Sequence, residues 1–181
     1  MEIIETKFEG LHVLKPKIFG DERGYFFESY NQEIFQELTA TKTQFVQDNQ
    51  SLSQKNVLRG MHFQKPPVAQ AKLVRVISGA VLDVVVDIRK NSSNFGEHFC
   101  IELSDENQLQ LYIPEGFAHG FLTLQENTIF SYKCSDYYHP EAEGTIFWND
   151  PDLKINWGVH EPVVSEKDMK GEFFRNFVSP F

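Results

Sequence analysis

Residues 70–90 read QAKLVRVISGAVLDVVVDIRK. Two apolar runs rich in β-branched residues flank the tight turn Ser78-Gly79-Ala80, which predicts consecutive strands over 71–78 and 80–88. Lys72 and Asp83 sit among these apolar positions. A charge in such surroundings is costly unless it is paired or used. Spacing alone leaves a snorkelling lysine and an edge aspartate equally open.

Outward from this pair the same texture continues. Further strands are expected near 11–19, 25–30, 43–50, 57–63, 97–103, 108–113, 118–124, 128–136 and 145–148, separated by turn signals such as GDERG, NSSNFG, SDEN, PEG and NDPD. One helix is expected at 31–38, capped by Asn31, with Ile34, Phe35 and Leu38 on one face. Many short strands with few helices predict an all-β jelly roll or barrel with small peripheral helices. No repeat or linker divides residues 1–181, so one domain is expected. From about residue 160 the chain turns polar and irregular, and GEFFRNF and VSPF offer aromatic anchors for packing on the barrel.

The formal net charge of −9 argues against a nucleic-acid or anionic-membrane partner, so any bound anion needs a local basic site. The stretch AVLDVVVDI is broken by Asp83 and Asp87 and is too short to span a bilayer. MEIIETKFEG lacks the basic start and apolar core of a signal peptide. With two cysteines and no CxxC, a reduced cytoplasm is the simplest compartment.

The candidate chemistry begins at residues 58–64, LRGMHFQ, where Arg59 and His62 interrupt an apolar strand. Strict alternation sends them to opposite faces. They share a cavity only if the alternation breaks, and Gly60 is where a bulge would break it. His119 follows the turn Pro114-Glu115-Gly116. A metal-binding jelly roll of the cupin type would offer an HxH pair, but here that position reads His62-Phe63-Gln64, and Lys72 would repel a cation. No metal and no cofactor are therefore expected. Tyr132 lies in YKCSDYY as a possible proton donor or a simple wall residue, and Ser165-Glu166-Lys167-Asp168 has the form of a helix start in which Asp168 would only cap.

Taken together, DERGYFFE, FVQDN, VLRGMHFQ, PPVAQAKLVRVISGAVLDVVVDIR, YIPEGFAHGF, YKCSDYYHPEAEGTIFWNDP and SEKD resemble the dTDP-4-dehydrorhamnose 3,5-epimerase family nearly end to end. The resemblance implies a metal-free cupin jelly roll, usually a homodimer, acting on dTDP-4-keto-6-deoxy-D-glucose in rhamnose-precursor synthesis. It implies His62 as general base with Asp168 behind it, Tyr132 as acid on the opposite face, and Lys72 stabilising the enolate, with His119 and Asp83 lining the same pocket. Arg59, Gln47, Asn49, Tyr138, Glu143 and Lys167 match nucleotide-binding positions. Arg23, Phe26 and Glu28 match an arm that reaches the neighbouring subunit's ligand. The chain departs from the pattern at Gln50, where histidine is common, and at Met61, where leucine is usual. An epimerase inverting only C3 or C5 and a sugar-nucleotide binding module without turnover are the competing expectations.

Overall fold

The computed structural model describes residues 1–181 and builds two six-stranded, almost wholly antiparallel sheets that pack face to face. The first runs in the order β1 (Glu2–Glu5), β2 (His12–Lys15), β10 (Gln110–Ile113), β7 (Lys72–Ser78), β12 (Thr128–Cys134) and β5 (Gln47–Ser53). The second runs β13 (Glu143–Thr145), β6 (Val57–Gln64), β11 (Phe117–Thr123), β8 (Ala80–Asp87) and β9 (His98–Ser104), with β14 (Val163–Val164) parallel to β6. The short strands β3 (Phe19–Asp21) and β4 (Gly24–Phe26) pair only with each other, and one helix, α1 (Gln32–Thr39), lies at the margin. This is the expected jelly roll with minor helices.

The stretch 70–90 decides the arrangement because β7 and β8 end up in different sheets. Val74 and Val76 of β7 face Val81 and Val85 of β8 across the shared core, together with Leu103, Leu111, Phe117, Phe121 and Phe130. The other face of β8 is also covered. Val84 and Val86 join Leu58, Met61, Phe63, Trp148 and Trp157 in a second core, roofed by Phe174, Phe177 and Phe181 of the tail. A strand buried on both sides reads as a continuous apolar run, as AVLDVVV does. Each such side chain contributes roughly 1.5–3 kcal/mol on burial. The turn between the strands requires glycine: Gly79 has φ of 87°, and a Cβ there would meet Thr128 Oγ1 at 2.5 Å.

Several expectations are corrected. The strand expected at 11–19 is two separate pieces, β2 and β3, and the one at 25–30 shrinks to β4. The strand expected at 43–50 is shifted to 47–53, and that at 145–148 to 143–145. β1 and β14 were not anticipated. In α1, Asn31 does cap, its Oδ1 accepting from the Glu33 and Ile34 amides at 3.1 and 3.2 Å. The buried face is Phe35 and Thr39, however, and Ile34 points outward. Phe35 turns inward because Tyr30, Phe45 and Tyr112 supply the rings it packs against.

Candidate active site

At one end of the barrel a cavity of about 600 Å³ opens between the sheets, lined by Arg59, His62, Lys72, His119, Tyr132, Lys167 and Asp168 among others. A second lobe of about 280 Å³ adjoins it, lined by Gln47, Asn49, Cys134, Tyr138 and Glu143. His62, Lys72 and Tyr132 border both lobes. These three therefore stand where the two spaces meet.

Arg59 and His62 reach one cavity because the pairing of β6 with β11 slips between His119 and Phe121, so that His119 pairs with His62 but Phe121 with Arg59. Gly60 fills the slip. Its φ is 131°, and a Cβ would lie 2.5 Å from Gly120 Cα and 2.8 Å from the His119 carbonyl oxygen. Gly60→Ala is expected to lower stability by about 2–5 kcal/mol, from strained backbone plus overpacking. A urea midpoint within error of the parent would contradict this account of the slip.

His62 Nε2 lies 2.6 Å from Asp168 Oδ1, and the other carboxylate oxygen accepts the Gly60 amide at 3.3 Å. Asp168 is held in place from its own side as well, since its amide donates to Ser165 Oγ at 3.1 Å. The helix-start reading of SEKD is thus correct for Ser165, which opens a 3-10 turn at Asp168–Lys170. The Asp168 side chain does something else. Burial pushes its carboxyl up, but the His62 hydrogen bond and charge, the Gly60 amide and Ser165 together outweigh burial and hold it below the usual carboxylate value. It therefore stays anionic at neutral pH.

A carboxyl lowered on folding stabilises the fold above its unfolded value of about 4, and that contribution fades as the pH falls through the lower folded value. Asp168→Asn removes it. The stability gap between parent and variant is expected to narrow as urea midpoints are taken from about pH 5 to about pH 2, and a constant gap would argue against the ion pair. In the same variant kcat is expected to fall by about 10²-fold or more, because the imidazole loses its anionic partner.

His119 is 7% exposed and its Nε2 sits 2.9 and 3.0 Å from the two oxygens of Asp83, which is fully buried. Burial pushes the His119 imidazolium down, with Asp83 opposing and Lys72 and His62 reinforcing, so the ring is neutral near pH 7. Asp83 does not line the pocket, contrary to expectation: it lies behind His119, on β8, which is flanked by β11 and β9 and so is not an edge strand. No group of three or more His, Cys, Asp or Glu side chains converges in the geometry of a metal site.

Lys72 lies 5.9 Å from the centre of the Tyr132 ring and forms no ion pair. Burial pushes its ammonium below the usual lysine value, against the pull of Cys134, Asp83 and Glu143. Burial likewise raises the Tyr132 phenol, which keeps its proton through the neutral range. Near the mouth of the smaller lobe Tyr138 donates its hydroxyl to Glu143 at 2.7 Å, and Lys167 Nζ meets the same carboxylate at 2.5 Å. Burial alone would raise Glu143, but Lys167 and Tyr138 hold it low. Gln47 accepts the Tyr138 amide at 3.1 Å and donates to Asn49.

Arg23, Phe26 and Glu28 are not brought to this cavity by their own chain. All three are exposed; Arg23 pairs with Asp21, and Phe26 is 69% exposed. Conversely Gln50, Ser51, Phe121, Phe130, Val163 and Val164 line the larger lobe although only Gln50 drew notice in the sequence, and then as a departure. The inward alternation of β5 and β12 was the available signal for Ser51 and Phe130.

A comparison with protein families matches residues 5–176 to dTDP-4-dehydrorhamnose 3,5-epimerase. The chain belongs to that family. A dTDP-4-dehydrorhamnose 3,5-epimerase of Salmonella typhimurium is 55% identical over 169 residues, spanning 93% of this chain and 92% of that protein. Among solved structures, the dTDP-6-deoxy-D-glucose-3,5-epimerase from Legionella pneumophila in complex with dTDP-4-keto-L-rhamnose has a TM-score of 0.94 at 47% identity, covering 98% of this chain and 94% of that one. A 3'-monoepimerase from Streptomyces bikiniensis in complex with dTDP-quinovose has a TM-score of 0.88 at 32% identity, covering 96% and 87%. The barrel of this epimerase-family chain is thus the cupin-type jelly roll of its structural neighbours.

Proposed function

We propose that this chain, acting as one domain over residues 1–181 and without a cofactor, epimerises dTDP-4-keto-6-deoxy-D-glucose at C3 and C5 to dTDP-4-keto-L-rhamnose in dTDP-L-rhamnose synthesis. The observation that carries this is the 2.6 Å His62–Asp168 contact at a cavity that Tyr132 and Lys72 also border. A proton beside the C4 ketone is weakly acidic, so removing it requires a placed base and a positive group for the enolate oxygen. With Asp168 anionic and bonded to Nε2, the proton of neutral His62 resides there and Nδ1 presents its lone pair. His62 Nδ1 takes the C–H proton, and Asp168 balances the imidazolium that forms. Lys72 stabilises the enolate oxygen. Tyr132, still protonated, then delivers a proton from the opposite face, and inversion results.

Gln47, Asn49, Tyr138, Glu143, Arg59 and Lys167 hold the nucleotide in this reading, with Arg59 and Lys167 as local cations in a chain of net charge −9. The β3–β4 hairpin, with Phe19, Tyr25 and Phe26 exposed, is the arm by which a homodimer partner supplies Arg23, Phe26 and Glu28. Sedimentation as a monomer at assay concentrations would remove that role. No helix is long and apolar enough to cross a membrane, and Cys100 and Cys134 are free thiols, which supports action in the cytoplasm.

The experiment is NMR of dTDP-4-keto-6-deoxyglucose with the protein in deuterated water. Deuterium at both C3 and C5 with the L-lyxo product is expected. Deuterium at C3 alone would transfer the reading to a single-centre epimerase, and none at either carbon would defeat the epimerase reading.

A further inference from the structure

Three spaces meet at one ion pair. Glu143 lines the smaller lobe but not the larger, and Lys167 lines the larger but not the smaller. Both also line a broad polar recess shared with Lys65, Thr145, Lys170 and Glu172. The 2.5 Å contact between them therefore crosses from one lobe to the other and separates both from that recess. Glu143 reaches the junction because β13 pairs with β6, which sets Glu143 opposite Gln64 and Thr145 opposite His62. Lys167 reaches it as the chain neighbour of Asp168, which His62 and the Gly60 amide pin in place. The two ends are held differently. Glu143 has a second partner in the Tyr138 hydroxyl and its side chain is 16% exposed, whereas Lys167 pairs with Glu143 alone and its side chain is 52% exposed. The carboxylate is the fixed end and the ammonium the movable one.

We propose that Glu143 is a resident counter-ion that holds Lys167 in the free protein, and that the diphosphate of a ligand takes Lys167 from it on binding. This rests on the reading that the cavity takes a nucleoside diphosphate sugar. Arg59, the other cation of the larger lobe, is in no ion pair; its Nε donates to Ser53 Oγ at 3.2 Å. An anion arriving there meets one cation ready and one already neutralised. Exchange costs little, because a partly exposed ion pair is weak and a diphosphate brings more charge and more acceptor oxygens than a carboxylate. Glu143 is not orphaned when Lys167 leaves. It keeps the Tyr138 hydroxyl, and it lies close enough to Lys72 for the two charges to attract. The cavity thus carries its own competitor for the phosphates, which a nucleoside lacking them does not sense.

The test is calorimetric binding of dTDP and of thymidine, at fixed ionic strength, to the parent, Glu143→Gln, Lys167→Met and the double variant. Glutamine keeps an acceptor for the Tyr138 hydroxyl but gives up the charge. In Glu143→Gln the dTDP Kd is expected to fall about two- to fivefold, the worth of a partly exposed ion pair, while the thymidine Kd does not fall. Lys167→Met should weaken dTDP, and on that background Glu143→Gln should bring no tightening, because the ammonium it would release is gone. A dTDP Kd unchanged or raised in Glu143→Gln, the same tightening in the double variant, or equal tightening of thymidine would each overturn the proposal. Absence of dTDP binding in the parent would remove the nucleotide reading and the exchange together. Binding without deuterium incorporation would count against the epimerase reading and leave the exchange to be judged by the Kd ratios.

Discussion

His62→Ala is expected to lower kcat by about 10²–10⁴-fold, the usual worth of a placed general base, while dTDP still binds. The expectation follows from where the charge sits. Asp168 is anionic and His62 is its only side-chain hydrogen-bond partner apart from the backbone amide of Gly60 and the Ser165 hydroxyl that its own amide meets. Truncation to alanine also leaves that carboxylate short of a partner, which costs stability in its own right. His62→Asn therefore accompanies it, since an amide can still donate to Asp168 but cannot take a proton from carbon. Both variants should lose deuterium incorporation at C3 and C5 in the NMR assay, and both should retain dTDP by calorimetry. Incorporation at the parental rate in either would remove His62 as the base.

Tyr132→Phe separates the two halves of the reaction. The ring keeps its place, tilted against Phe130 at 6.1 Å between centres and beneath the Lys72 ammonium, so only the hydroxyl is lost. With the base intact and the opposite-face acid gone, product formation is expected to fall by about 10²-fold or more. Exchange with solvent deuterium should persist, because His62 can remove a proton and return one to the same face. Burial raises the phenol, so the parent enzyme keeps its acid form across the neutral range, and activity should not decline between pH 7 and 9 through loss of that proton. Equal loss of exchange and product would mean that Tyr132 serves the first step instead.

Much of this arrangement could be read from short-range pattern. β6, β7 and β8 lie within a residue or two of their expected bounds, because alternation and a glycine turn are local properties. The slip at Gly60 was readable too, as the one place where Arg59 and His62 could come to share a cavity. What could not be read depends on the partner rather than the strand. β14 is two residues long and exists because Val163 and Val164 lie beside Val57 and Leu58. Asp83 gives the clearest case: its position among apolar neighbours was visible, but not that His119 would stand between it and the cavity. Ser51 and Phe130 carried no motif at all, and they became site residues only when β5 and β12 closed the barrel over the cavity. Ile34 was misplaced on the buried face of α1 because Phe35 had the larger set of rings to join.

His62, the proposed base, and Asp168, the carboxylate it meets, stand 106 residues apart along the chain. Nothing local assembles them: β6, which carries His62, pairs only with the distant strands β11, β13 and β14, and Asp168 follows the last of these. The ladder between β2 and β10, which joins Leu14 to Gln110, closes a stretch of comparable length, so the pair belongs with the barrel's own long-range contacts. The geometry of the pair is thus a property of the whole chain, because the same tail that roofs the second core with Phe174, Phe177 and Phe181 also brings Asp168 to His62.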